Sequence, residues 1–298
     1  MSDKRSPAKL KLPWRRWALL AVTTLVIGYT VVVVFFTVFQ RNLIYVPTRV
    51  TMEQARRKAV REGFIPWRNK AGQLIGWELV AGSKPAGSVL IVHGNAGWAL
   101  TRAYLAKSIH DAAPLDVFIL EYPGYGAREG SPAGASFLSA GDEAFGNLPA
   151  NAPVYVVSES LGTGVAAHLA EKNPAGVAGL ALFVPYDRLA LVAQNQVPYL
   201  PAYFLLLDRY DPVDWLKEYH GPVMVILAGS DEIIPPRLGR HLYDEYTGPK
   251  MLQVMPGARH NQTTDQSPDW WKDVLEFWRE YPAASSPPAK PLASVTPG

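Results

Sequence analysis

The sequence predicts an α/β fold: a mostly parallel central sheet covered by helices on both faces, preceded by one transmembrane helix. Three observations predict it. Short apolar runs alternate with helix-like stretches across most of the chain, the pattern of strands joined by crossover helices. A serine stands where one of these strands meets its helix, in Val154-Tyr155-Val156-Val157-Ser158-Glu159-Ser160-Leu161-Gly162. Finally, residues 17–40 carry no charged side chain. At 298 residues and 48% hydrophobic content, the chain can build one sizeable core and little else.

The elements follow in order. At about 1.5 Å per residue the uncharged run would span roughly 36 Å, enough to cross a bilayer with some tilt. It is rich in Val and Leu, with Trp14 and Trp17 placed for one interface. It is too long, and apolar on all faces, for a buried core helix of this chain. It ends in Phe35-Phe36-Thr37-Val38-Phe39-Gln40-Arg41, without a small-residue cleavage site, and reads as a retained signal anchor. Lys4, Arg5, Lys9, Lys11, Arg15 and Arg16 precede it against Asp3 alone, which places residues 1–16 in the cytoplasm and the rest of the chain beyond the membrane, in a periplasm or its equivalent. Arg41, Arg49, Arg56, Arg57 and Lys58 on the far side blunt that bias.

Residues 50–63 read as a charged helical entry, and 73–80 and 88–92 as early strands. An amphipathic helix is expected over 98–112, a strand over 116–122, a turn at Pro123-Gly124-Tyr125-Gly126 and a helix over 132–148. Strand 154–157 feeds helix 161–172, and further strands follow at 177–184, 223–228 and 251–255. Residues 283–298, with Pro287, Pro288, Pro291 and Pro297, read as a low-complexity, disordered tail. No internal repeat is present.

The chemistry collects at the carboxyl ends of these strands, where parallel sheets bind ligands. A strand that turns abruptly into a helix around a serine is a nucleophile elbow, which holds Ser160 in a strained conformation with its hydroxyl above the sheet. Small residues are needed two positions either side; Gly162 supplies one, and Ser158 replaces the usual Gly at the other. The acid of such a site follows the serine in the chain and the histidine comes last. Asp231 lies just past strand 223–228, and His260 just past strand 251–255 on a Gly-containing loop. Asp208, Asp211 and Asp214 precede the strand that carries the acid, so Asp231 is better placed. For the oxyanion the candidate donors are the backbone N–H groups of Leu161 and of Asn95, in His93-Gly94-Asn95-Ala96-Gly97 after strand 88–92. Gly94 permits close approach of the backbone there.

The chain has no cysteine, which excludes disulfides, a cysteine nucleophile and thiolate metal sites. Its six histidines include no pair at metal-ligand spacing. His110, His168, His220 and His241 read as structural or exposed, and neither metal nor cofactor is expected. The first 16 residues hold six basic side chains and one acidic, a net of +5. That leaves −2 for the remainder of a chain totalling +3, so the basic character is a lipid-headgroup feature and nothing points to nucleic acid.

These motifs resemble the membrane-anchored α/β-hydrolases related to the yeast bud-emergence protein, within the serine-aminopeptidase-like superfamily. The resemblance covers about residues 40–278. It is carried by Gln40-Arg41-Asn42-Leu43-Ile44-Tyr45-Val46-Pro47, His93-Gly94-Asn95-Ala96-Gly97, Tyr122-Pro123-Gly124-Tyr125-Gly126, Ser160-Leu161-Gly162-Thr163-Gly164, Asp231-Glu232-Ile233-Ile234-Pro235 and Gly257-Ala258-Arg259-His260-Asn261. Glu121 stands where many relatives have Asp, and Arg259 where a small residue is common. Both put the local polarity near the pocket in question.

The domain organisation expected is a basic tail (1–16), an anchor (17–40), a hydrolase domain (41–282) with a short lid insertion (185–221), and a tail (283–298). The insertion reads either as an apolar wall for an acyl chain or as a helix packed on the sheet. The resemblance implies a serine hydrolase of acyl esters, lipid or small, working through Ser160, Asp231 and His260. A thioesterase or depalmitoylase, a peptidase, and a non-catalytic membrane-tethered binding protein are the alternatives. Oligomeric state is not read from the sequence.

Overall fold

A computed structural model describes residues 14–82, 85–149 and 152–282, and the chain divides into two units, residues 1–40 and 41–298. Residues 1–13 of the expected basic tail and the expected low-complexity tail, 283–298, lie outside the described residues. The first unit consists of most of helix α1 (Trp14–Ile44), which is long and apolar enough to cross a membrane. The helix outlasts the uncharged run at both ends. Its last turn is closed by Tyr45 N–H donating to Arg41 C=O at 2.9 Å, and Pro47 bars further helix.

The second unit opens with α2 (Met52–Glu62), whose start is fixed by a reciprocal cap. Thr51 Oγ1 accepts the Gln54 N–H while Gln54 Oε1 accepts the Thr51 N–H. Two strands follow, β1 (Ile65–Arg68) and β2 (Leu74–Leu79), then β3 (Ser88–Val92), α3 (Ala103–Ala112), β4 (Asp116–Leu120), α4 (Gly134–Gly146), β5 (Val154–Glu159), α5 (Gly162–Lys172) and β6 (Val177–Phe183). Three short helices, α6 (Leu189–Gln196), α7 (Ala202–Leu205) and α8 (Pro212–Trp215), lead to β7 (Val223–Ala228), α9 (Pro236–Glu245), β8 (Lys250–Met255) and α10 (Pro268–Glu280).

The eight strands form one sheet in the order β1-β2-β4-β3-β5-β6-β7-β8. β1 pairs antiparallel with β2 and β2 with β4; every other pairing is parallel. Each central strand is apolar on both sides, as a sheet covered on both faces requires. Leu90, Val92, Val156, Leu180, Leu182 and Val225 enter the core shared with α4, α5, α6 and α9. Their neighbours Val89, Ile91, Tyr155, Val157, Ala181 and Phe183 enter the core shared with α2, α3 and α10.

Two elements differ from expectation for identifiable reasons. β1 was not expected, because Ile65-Pro66-Trp67-Arg68 has no apolar period and contains a proline; at the sheet edge proline is tolerated. The expected helix over 98–112 opens instead as a 3-10 turn, Ala99–Arg102. There Thr101 N–H bonds back to Trp98 C=O at 2.9 Å, and Ala99 N–H is drawn to the Glu121 carboxyl.

Trp278 of α10 lies flat on β6, where Gly179 leaves it room. A Cβ at 179 would stand 2.6 Å from the indole. The ring stacks on Tyr155 at 4.7 Å and donates Nε1–H to Leu180 C=O at 3.3 Å. Trp278→Ala is expected to lower unfolding stability by about 3–5 kcal/mol through the cavity it leaves, measured by denaturant unfolding in detergent. A loss below about 1 kcal/mol would mean that α10 collapses onto the sheet without strain.

Candidate active site

Ser160 sits in the turn between β5 and α5 with φ 52°. Among the described residues, it and Val184 (φ 44°) are the non-glycine residues in the left-handed region. The two lie together in the fold. Ser160 N–H donates to Phe183 C=O at 2.9 Å, and Val184 N–H donates to Ile226 C=O at 2.8 Å, so the end of β6 is fastened on both sides. At Gly162 the helix comes so close to β3 that a Cβ would meet Val92 O at 2.1 Å. Ser158 is fully buried within β5, its hydroxyl has no hydrogen-bond partner among the described residues, and the strand accommodates its side chain where glycine is usual.

His260 opens a short 3-10 turn after β8, is buried, and reaches Ser160 Oγ with Nε2 at 3.0 Å. Its Nδ1 faces both oxygens of Asp231, at 3.0 and 2.8 Å. A carboxylate only accepts, so Nδ1 carries the proton and Nε2 is free to accept from the serine. Asp231 is itself fixed by the N–H groups of Ile233 and Ile234, each 2.8 Å from Oδ1. The three residues picked from the sequence therefore converge in one hydrogen-bonded chain. Glu232 is excluded from the chain: it is part-exposed, pairs with Arg259 at 3.3 Å, and faces only the backbone of His260. Asp208, Asp211 and Asp214 stand elsewhere, with Arg41 and Arg188 as partners.

Asn95 follows β3, and Leu161 is buried at the first turn of α5. Two residues not singled out from the sequence lock these loops together. Glu159, immediately before the serine, receives Arg102 Nε at 2.7 Å and Nη2 at 2.9 Å, while Arg102 Nη1 donates to Ala96 C=O at 2.9 Å. One guanidinium thus joins the Asn95 loop to the elbow. The middle positions of the elbow pentapeptide carry no fixed residue type, so nothing in the sequence marked Glu159. Gly94 does lie close to it, 3.3 Å from Oε1 at its would-be Cβ.

Glu121, after β4, is fully buried and accepts Ala99 N–H at 3.0 Å and Trp77 Nε1–H at 3.4 Å. Burial pushes its carboxyl up to about 8. Burial, reinforced by the Arg102 charge, pushes neighbouring His93 down to about 3. The 3.9 Å His93–Glu121 contact is therefore between two neutral groups at pH 7. Neither departure noted above charges the site: Glu121 is neutral, and Arg259 is an exposed partner of Glu232.

Segment 185–221 has a buried side and an exposed apolar side. Leu189, Val192 and Leu206 are buried against the core, while Tyr199, Phe204 and Leu207 are exposed. His168 and His241 are paired, with Asp142 at 3.0 Å and Asp187 at 2.9 Å. Among the described residues no group of three or more His, Cys, Asp or Glu is arranged to hold a metal ion.

A strained serine between a parallel strand and a buried helix, backed by aspartate and histidine from the loops after two later strands, defines an α/β-hydrolase. Among solved structures, the Pyrococcus furiosus esterase Pf2001 has this fold, with TM-score 0.58 at 15% identity, over 79% of this chain and 99% of that one. The chain is 35% identical over 239 residues to the uncharacterised protein Rv2307c of Mycobacterium tuberculosis, covering 77% of this chain and 83% of the relative. It is 24% identical over 285 residues to protein bem46 of Schizosaccharomyces pombe, covering 85% and 88%. Lysophosphatidylserine lipase ABHD12 of Xenopus tropicalis is 28% identical over 204 residues, covering 60% of this chain and 52% of the lipase. Residues 183–290 match a family model described as PhoPQ-activated pathogenicity-related protein. The chain belongs to the α/β-hydrolase family that includes bem46.

Glu121 gives the fold a pH signature. A carboxyl near 4.3 in the unfolded chain and about 8 in the folded one binds its proton more tightly when folded. Its contribution is full below about pH 4, declines between about 4 and 8, and is constant above. Wild type is expected to lose stability against Glu121→Gln across that window, measured as paired unfolding midpoints. A difference independent of pH would show that Glu121 is ionised in the folded protein.

Proposed function

We propose that the protein is a serine hydrolase that cleaves acyl esters through an acyl-enzyme. The observation that carries this reading is the continuous hydrogen-bonded chain Ser160–His260–Asp231 ending on a left-handed serine. His260 Nε2 takes the Oγ proton as Ser160 attacks the carbonyl carbon. Asp231 holds the tautomer and stabilises the imidazolium that forms. The N–H groups of Asn95 and Leu161 receive the oxyanion, each such donor contributing about 3–4 kcal/mol. The imidazolium then protonates the leaving alcohol, and a water activated by the same base releases the acyl group.

The substrate we infer has an acyl chain and is met at a lipid surface. Residues 17–40 act as the anchor, with the amino terminus in the cytoplasm and the catalytic unit, residues 41–282, on the far side. Segment 185–221 serves as a short lid whose exposed Tyr199, Phe204 and Leu207 supply apolar surface. A lysophospholipid lipase and an esterase among the relatives and structural neighbours support the ester class over a thioester or peptide.

A fluorophosphonate probe is expected to label the purified wild type in detergent, and Ser160→Ala to abolish labelling while leaving the unfolding midpoint nearly unchanged. Labelling that survives the substitution would move the nucleophile elsewhere, and a folded wild type that is never labelled would favour a tethered binding protein. Asp231→Asn is expected to lower kcat about 10⁴-fold on a short-chain ester. Near-normal turnover would remove Asp231 from the mechanism. A panel of matched ester, thioester and peptide substrates sorts the three acyl classes.

A further inference from the structure

The stretch that closes α1 and follows it is not a linker. Arg41 and residues 45–50 are bonded or bridged to other loops of the catalytic unit. Arg41 donates from Nε and Nη2 to the two oxygens of buried Asp208, at 3.0 and 2.9 Å. Tyr45, also buried, donates its hydroxyl to the same carboxylate at 3.0 Å and packs on Phe137 at 4.9 Å. Asp208 belongs to segment 185–221, so this end of the strap holds that segment.

The other end runs alongside the Asn95 loop. Val46 N–H donates to Asn95 Oδ1 at 2.9 Å, and Tyr125 Oη–H reaches the same oxygen at 3.2 Å. Pro47 and Gly97 form a parallel bridge, with Thr48 N–H on Gly97 C=O at 3.1 Å. Thr48 C=O accepts Gly126 N–H at 2.9 Å, and Val50 N–H returns to Gly126 C=O at 2.9 Å. Asn95 is thus gripped through its side chain by two donors, one from the strap and one from the turn after β4.

The backbone N–H of Asn95, a part-buried residue, is the proposed oxyanion donor, and a loop donor stabilises a transition state only if its direction is fixed in advance. Arg102 fixes the loop from the elbow side, through Ala96. The strap fixes it from the opposite side, through Asn95 itself and Gly97.

We propose that residues 41–50 are a positioning element of the oxyanion loop, acting chiefly through the Val46 N–H to Asn95 Oδ1 bond. This rests on the serine hydrolase reading above. Hydrolysis then depends on how the chain enters the catalytic unit, because the strap begins within the last turn of α1. A rate of turnover sensitive to the chain leaving the membrane helix follows from that continuity.

The test uses the full-length protein in detergent. Val46 is half exposed, so Val46→Pro removes mainly the donor. It is expected to lower kcat about 10- to 100-fold with KM within about twofold, the size of effect a displaced reacting group produces. Val46→Ala keeps the N–H and is expected to restore kcat, a rescue that a side-chain packing role would not give. Asn95→Ala keeps its backbone N–H and loses the acceptor, and should reproduce the loss. Val46→Pro placed in that background should add nothing further. An unchanged kcat in Val46→Pro, or a full additional loss in the double variant, would overturn the proposal. Wild type that neither turns over an ester nor accepts a fluorophosphonate would sink the hydrolase reading instead, so the two failures are separable.

Discussion

The left-handed backbone at Ser160 is the constraint on which the rest of the site depends. A non-glycine residue held there costs about 1–3 kcal/mol and persists only where its surroundings over-determine it. Three features do so. Ser160 N–H is engaged by the end of β6, the first turn of α5 is pressed onto Val92 at a position only glycine can fill, and α5 is buried through most of its length. The serine hydroxyl is therefore aimed by the sheet and not by its own rotamer preference. Asp231 and His260 follow the ends of β7 and β8 in the same sheet, so the three side chains share one frame.

Around that frame the loops are held by charge in one place and by neutral hydrogen bonds in another. Arg102 and Glu159 form a two-pronged pair beside the elbow. Glu121 and His93, a few ångströms away in the same loop system, are both kept uncharged by burial. A second buried charge would have to be desolvated without a partner of comparable geometry, which the neutral pair avoids. Segment 185–221 adds apolar surface while one of its buried carboxylates, Asp208, faces Arg41 and Tyr45.

Much of this was legible in the sequence because the features that build it are local. Apolar runs mark β3 to β8 within a residue or two, and the order of Ser160, Asp231 and His260 behind three of them pointed to the constellation the fold assembles. β1 was not legible, since a proline-containing edge strand carries no period. The Arg102–Glu159 clamp was not legible either, because its partners are 57 residues apart, Arg102 belongs to no motif and Glu159 fills an elbow position with no fixed residue type. The same holds for Asp208: it precedes the acid-bearing strand, which made Asp231 the better-placed acid, but only the fold shows that it holds Arg41. Glu121 left the local polarity near the pocket open in the sequence, and its burial in the fold keeps the carboxyl neutral.

The central claim is that Ser160 forms a covalent acyl intermediate. It is tested most directly by incubating the protein with a slowly turned-over ester, quenching in acid during the first turnover, and mapping the peptides by mass spectrometry. The account predicts a mass increment equal to the acyl group on the peptide containing Ser160, rising in a burst of about one equivalent. Ester turnover with no acyl adduct at Ser160 under the same quench, or an adduct on another residue, would contradict it.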